Sequence, residues 1–291
     1  MNTRIVAAAL TLTLAAPVSA QAWLDTFNDG NFSDASPVTW VSTPALPGVL
    51  NVTNGDLHLT MPSSAAAPYV AGASALSNFN SGVSARVRMF ITNGPVRSAV
   101  SFADAAVGLT GYVAAFNTCG VSGHIELFRL DGTPDITPLG AGSIAWPYDP
   151  TVEHYMQLDV FEGVVSMRVW RPGEPFPPPL IVAVDSTYSS GVVGIGLQDF
   201  GDGNCSGVGN HLDAEATIRF VQASSTPLTH SGIGDVTADG VVDVNDLLAV
   251  ITAWGPCPEA PQPCPADIAP PNVGDGAVDV NDLLLVVTNW G

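Results

Sequence analysis

Asp235, Thr237, Asp239, Asp243 and Asp246 occupy the first, third, fifth, ninth and twelfth places of one short stretch, with Gly240 at the sixth and Val241 at the seventh. Oxygen-bearing side chains at alternate places, a glycine where the chain must turn sharply and a backbone carbonyl one place later suit a hard divalent cation. Such an ion takes about six to eight oxygens at roughly 2.3–2.6 Å around one centre. The spacing predicts a calcium loop whose ligands are Asp235, Thr237, Asp239, Asp243, Asp246 and the carbonyl of Val241. The chain then repeats itself: Asp239–Gly255 and Asp275–Gly291 are identical at 13 of 17 aligned positions, which is internal duplication. Asp275, Asp279, Asp282 and the carbonyl of Ala277 recur as ligands in the second copy. Its entry is irregular. Counting back from Asp282 puts Pro271 and Val273 where oxygens are required. Asp267 takes the first place only if Ile268 to Gly274 carries four inserted residues.

An apolar stripe follows each loop at helical spacing: Val244, Leu247, Leu248, Ile251 and Trp254, then Val280, Leu283, Leu284, Val287 and Trp290. No helical pattern precedes either loop. The first loop has EF-hand spacing, and a duplicated loop with only the exiting helix resembles a type I dockerin domain over residues 234–291. That resemblance implies two calcium sites that order the fold and helices that bind a cohesin-like or cell-surface scaffold protein. Val244-Asn245 and Val280-Asn281 would contribute to recognition. The segment holds nine acids and no base, so self-repulsion opposes its folding until a cation neutralises it.

Other reactive residues are sparse. Cys257 and Cys264 flank a Pro-rich connector between the copies and are expected to close a small disulfide ring; Cys119 and Cys205 are expected to pair with each other. Neither pair has zinc spacing with histidine. No nucleophile elbow or phosphate loop occurs. Asp213 and Glu215 share a strand face by spacing and are the weak catalytic candidates, while Glu126 stands alone. Trp146 and Tyr148, in one loop, are the candidate sugar-binding aromatics; Trp40 and Trp170 are expected in the core.

The elements that must position these groups are mostly strands. Residues 21–222 read as about eleven short alternating runs with no convincing helical period. Asn54-Gly55 and Glu162-Gly163 join two hairpins. In Val83 to Ile91, Val83, Ala85, Val87, Met89 and Ile91 face in, and Ser84, Arg86 and Arg88 face out. Asp25-Thr26-Phe27-Asn28-Asp29-Gly30, Trp40, Asn54-Gly55-Asp56-Leu57 and the turn Asp185–Gly191 before Val193-Gly194-Ile195-Gly196 resemble a concanavalin A-like jelly roll of the laminin-G or glucanase type. The expected fold is mainly β: a two-sheet antiparallel jelly-roll sandwich with a small C-terminal α-helical calcium-loop domain. The superfamily includes carbohydrate binders, glycoside hydrolases and adhesion modules. Laminarinase-type members carry their acids as Glu-x-Asp-x-x-Glu on one strand, a run missing here.

Residues 1–20 read as a secretory signal: Arg4, an apolar run from Ile5 to Ala16, then small residues to Ala20. The segments are thus a signal (1–20), a sandwich (21–222), a linker (223–233) and a dockerin-like tail (234–291). The chain of 291 residues carries a net charge of −19, and its eight basic residues are all Arg. That excludes a nucleic-acid binder, which needs a basic patch against phosphate. No span long enough for a membrane remains after the signal. The expected function is a secreted calcium-binding protein whose sandwich binds polysaccharide or an extracellular surface and whose tail docks to a scaffold. The alternatives are a glycoside hydrolase of the same fold and an adhesion protein without a glycan ligand.

Overall fold

A computed structural model describes residues 21–27, 29–33, 37–42, 49–61, 70–93, 96–104, 110–117, 124–132, 136–144, 146, 152–172, 174, 176–199, 214–228, 234–237, 242–258, 264, 266–269 and 275–290. In chain order the strands are β1 (Ala22–Asp25), β2 (Trp40–Ser42), β3 (Val49–Thr53), β4 (Asp56–Met61), β5 (Val70–Phe79), β6 (Val83–Asn93), β7 (Val96–Asp104) and β8 (Thr110–Asn117). They continue with β9 (His124–Asp131), β10 (Ile136–Ser143), β11 (His154–Phe161), β12 (Val164–Trp170), β13 (Ile181–Val184), β14 (Gly191–Asp199) and β15 (Ala214–Ser224). The tail contributes α1 (Val244–Thr252), β16 (Gly255–Pro256), β17 (Ala277–Val278) and α2 (Val280–Thr288).

The body is two antiparallel sheets. One runs β13-β12-β11-β6-β15-β4-β3, with β1 also paired to β15; the other runs β10-β9-β8-β7-β14-β5-β2. Alternation explains the register. Leu57, Leu59 and Met61 on β4, Ala85 and Val87 on β6, and Met156 and Leu158 on β11 are buried against Val100 and Phe102 of β7 and Tyr112, Ala114 and Phe116 of β8. Both expected hairpins form. Asn54 and Gly55 have φ of 56° and 79°, and Glu162 and Gly163 have 50° and 76°, the two positive angles of a tight hairpin turn.

Four strands of the body are not announced by a long alternating run in the sequence. β5 is rich in Ala, Gly and Ser, β10 contains Pro138 and two glycines, and β1 and β2 are four and three residues long. The compositions of β5 and β10 have low intrinsic strand preference and β1 and β2 are too short to show a period, so sheet neighbours hold them. Small residues are also required sterically. A Cβ on Gly111, at φ +138°, would lie 2.0 Å from the carbonyl oxygen of Phe102 on the paired strand.

The outward face of β6 is not solvated as its alternation suggests. Ser84, Arg86 and Arg88 point away from the inter-sheet core yet are buried, with Gln157, Asp159, Gln222 and Ser224 beside them. Phe176 packs on this face, with its ring against the Arg86 and Arg168 guanidiniums. Arg168 donates to the Pro177 carbonyl, and Gln157 donates to the carbonyl of buried Leu228. Trp170 is buried here, outside the sandwich core, stacked on Tyr155 at 5.0 Å; Trp40 lies in the core. β15 runs to Ser224, into the stretch read as linker. Among the described residues, no helix is long and apolar enough to cross a membrane.

Candidate functional site

Each tail helix begins in the same way. Asp243 caps α1 and Asp279 caps α2, each accepting the backbone N–H two residues on (2.7 Å in both). Asp246 and Asp282 complete the capping boxes. These last two carboxylates do more than close a loop. Asp246 accepts from the backbone N–H of Thr237, the Thr237 hydroxyl and the N–H of Asp243. Asp282 accepts from the N–H groups of Ile268, Ala269 and Asp279. Both are fully buried. With three donors on each carboxylate, about one of four acceptor positions is left on each.

The shared bracing aligns the two copies. Thr237 lies two residues after Asp235, and Ala269 lies two residues after Asp267. The hydrogen bond from Ala269 to Asp282 therefore matches that from Thr237 to Asp246, and Asp267 is the counterpart of Asp235. The extra four residues fall between Ala269 and Asp275. Asp267 accepts from the N–H groups of Asp275 (3.0 Å) and Gly276 (2.8 Å), and Asp275 accepts from that of Ala277. The second loop is thus wound around its entry carboxylate, with Gly276 at φ +89°. Its third place is Ala269, which has no side-chain oxygen. Asp239 and Val241 of the first loop lie outside the described residues.

This donor set fits calcium chemically, since every candidate is a carboxylate, hydroxyl or carbonyl oxygen. Among the described residues the tightest grouping of potential ligand atoms is instead Cys257, Cys264 and Asp267. The two sulfurs are joined in the expected disulfide, with Cα atoms 5.6 Å apart, so they are not thiolates and offer no such site. The disulfide pins the connector against the small tail core of Val242, Val250, Ala266, Val278 and Val286. Cys119 and Cys205 lie outside the described residues.

The helix stripe is turned the other way from a core-facing one. Val250 and Val286 are buried, and Leu247 and Leu283 pack against them. Val244, Leu248, Ile251 and Trp254 are 49–53% exposed, and Val280, Leu284, Val287 and Trp290 are 49–52% exposed. The duplication therefore presents the same apolar surface twice.

On the sandwich, the outer face of the seven-stranded sheet is lined by Val113 and Ala115 of β8, with Ala99, Phe128 and Leu130 against them. Beside them a groove of about 440 Å³ lies over β9 and β10, lined by Glu126, Phe128, Ile136, Pro138, Leu139 and Ala141. Glu215 is elsewhere, on the outer side of the eight-stranded sheet, with its carboxylate 2.9 Å from His58 Nδ1. Glu126 and Glu215 thus sit on opposite faces of a two-layer body and do not share a cleft. Asp213 lies outside the described residues. Asp25 is engaged structurally: its buried carboxylate accepts from the Phe27 N–H (2.9 Å) and the Trp40 indole (2.8 Å). Trp146 packs against the core, its edge on Phe116 and the Arg171 guanidinium 4.4 Å over its ring. Tyr148 lies outside the described residues. The groove residue Phe128 was not foreseen, because in sequence it is one more aromatic in a strand; pairing with Pro138 and Val113 places it outside.

The two antiparallel sheets form a β-sandwich, with a groove on the outer face of one of them. Its structural neighbours are glucanases and carbohydrate-binding modules. A native glycosidic hydrolase is 14% identical, covering 73% of this chain and 99% of its own, with a TM-score of 0.50. A prokaryotic β-1,3-1,4-glucanase (lichenase) from a mouse hindgut metagenome is 14% identical, covering 69% of this chain and 98% of its own, with a TM-score of 0.47. A carbohydrate-binding module from Bacillus subtilis is 14% identical, covering 62% of this chain and 91% of its own, with a TM-score of 0.45. The likeness to the glycosidic hydrolase shows the fold alone. No family model and no curated protein sequence matches the chain.

Proposed function

We propose that this is a secreted calcium-binding protein whose sandwich binds a polysaccharide and whose dockerin-like tail docks it to a cohesin-like or cell-surface scaffold protein. The observation that carries the docking half is the doubled, half-exposed apolar stripe on α1 and α2. A tail with so small a core gains stability by burying those side chains, and it leaves them in solvent. Large exposed apolar patches of this kind mark interaction surfaces. Calcium, held by Asp235, Thr237, Asp239, Val241, Asp243 and Asp246 in the first loop and by Asp267, Asp275, Ala277, Asp279 and Asp282 in the second, would neutralise the crowded acids.

Binding is preferred to hydrolysis on the sandwich. A glycosidase needs two carboxylates roughly 5–9.5 Å apart across one cleft. Among the described residues the groove contains one, Glu126, and Glu215 is on the far face.

One experiment addresses both halves. The full chain is incubated with insoluble polysaccharides and, separately, with cohesin domains, each in calcium and in chelator, while reducing-sugar release is followed. The expected result is retention on a polysaccharide, weakened by Phe128→Ala, with no sugar release. Cohesin capture should require calcium and be lost in a Leu248→Asp, Leu284→Asp double variant. Sugar release abolished by Glu126→Gln or Glu215→Gln would establish the hydrolase instead. No retention on any glycan would favour the adhesion reading.

A further inference from the structure

The two candidate calcium loops share their second halves but differ at their entries, and their entry carboxylates are held differently. Asp267 is held within its own loop by the N–H groups of Asp275 and Gly276. Asp235 is buried against the sandwich and accepts a hydrogen bond from Gln222 Nε2 of β15 at 3.0 Å.

That bond is oriented from beneath. Arg86, fully buried on the same sheet face, donates from Nε to Gln157 Oε1 (3.0 Å) and from an Nη to Gln222 Oε1 (3.4 Å). A guanidinium only donates, so it draws each amide oxygen towards itself and leaves each amide nitrogen pointing away. The Gln157 nitrogen lies within reach of Asp159 (2.8 Å) and Ser84 (3.1 Å) on its own sheet, and both nitrogens also reach the segment that follows β15. Gln157 Nε2 donates to the carbonyl of Leu228 (3.0 Å), and Gln222 Nε2 donates to the carboxylate of Asp235. Arg86 also lies close enough to feel the negative charges of Asp159 and Asp235. The outer face of the eight-stranded sheet is therefore built to receive the segment that carries the first loop. The second repeat makes no such link among the described residues.

We propose that Gln222 is a positioning residue for the first calcium loop, so that filling this loop and docking the tail onto the eight-stranded sheet are coupled, while the second loop fills independently. The proposal rests on the calcium reading above. Partners that orient a metal ligand from behind are worth about 10–100-fold in metal affinity, and coupling of this kind is reciprocal.

The test uses the full chain titrated with calcium chloride by calorimetry, with the two steps assigned by Asp239→Ala and Asp275→Ala. Gln222→Ala, and Gln222→Met as a variant of closer volume, should weaken the first-loop step about 10–100-fold and leave the second unchanged. In the wild-type chain, the nitrogen–proton resonance of the Gln222 side-chain amide should move with the midpoint of the first-loop step. Unchanged affinities in both variants would overturn the coupling while leaving calcium binding intact. Equal weakening of both steps would also overturn it, as general damage. Should neither variant fold, the wild-type resonance decides: one indifferent to calcium overturns the proposal. A wild-type chain that takes up no calcium overturns this inference and the calcium reading together.

Discussion

His154 is buried at the start of β11, its ring 4.8 Å from that of Phe116. Burial, which disfavours the charged ring, holds its pKa down to about 4 against the opposing pull of the Val152 carbonyl and Glu153. An unfolded histidine titrates near pH 6.5. The folded state therefore favours the neutral ring, and the stability this contributes is complete above about pH 6.5 and lost as pH falls to about 4. With calcium saturating, Tm should decline through that window, and His154→Phe should flatten part of the decline. A variant with the full wild-type slope would place the effect in other groups. Asp185 works in a lower range. Burial raises its pKa, but hydrogen bonds from Tyr112 and Thr187, with the charge of Arg129, outweigh this and hold it at about 2. Its contribution is present above about pH 4 and is lost only below, outside the histidine window.

At the scale of elements, α1 and α2 test whether the apolar stripe belongs to a core. Each helix has nine residues, too few to persist alone in water, so packing must hold it. The packing side is Val250 and Val286, fully buried, while Leu248 and Leu284 are about half exposed. Val250→Ala or Val286→Ala should destabilise the tail by roughly 1–3 kcal/mol. Leu248→Asp or Leu284→Asp should fall within about 0.5 kcal/mol of wild type. Denaturation followed by helix signal, in calcium, measures both. The reverse order would return the stripe to the interior and remove the argument for docking.

For the whole molecule, charge and core size are unevenly distributed. The sandwich carries a continuous two-sheet core, whereas the tail has, among the described residues, six buried apolar residues and one disulfide, and its sequence has no basic residue. A core this small cannot outweigh chain entropy and acid repulsion unaided. Chelation should therefore abolish the helix signal while the strand signal and the main sandwich transition persist. Reduction of Cys257–Cys264 should raise the calcium needed to restore the helices. Helices equally formed in chelator would show that the tail folds without metal.

What the sequence by itself determined was whatever is local. The two hairpins followed from Asn54-Gly55 and Glu162-Gly163, because only a few residue pairs accept two positive φ angles in a row. The sandwich faces followed from period-two alternation, and the two helices from the apolar stripe after each loop. The short disulfide followed from two cysteines seven residues apart. Tertiary structure decided whatever depends on a neighbour far away in the chain. It buried the outward face of β6, because Phe176, Leu228 and Asp235 come to lie over Arg86. It turned the helix stripe to solvent, since periodicity identifies an apolar face but not what covers it. It made Asp267 the counterpart of Asp235, since an insertion is resolved only by the hydrogen bonds that close around it. It also set Glu126 and Glu215 on opposite faces, because which sheet a strand joins is a long-range choice that spacing along the chain does not encode.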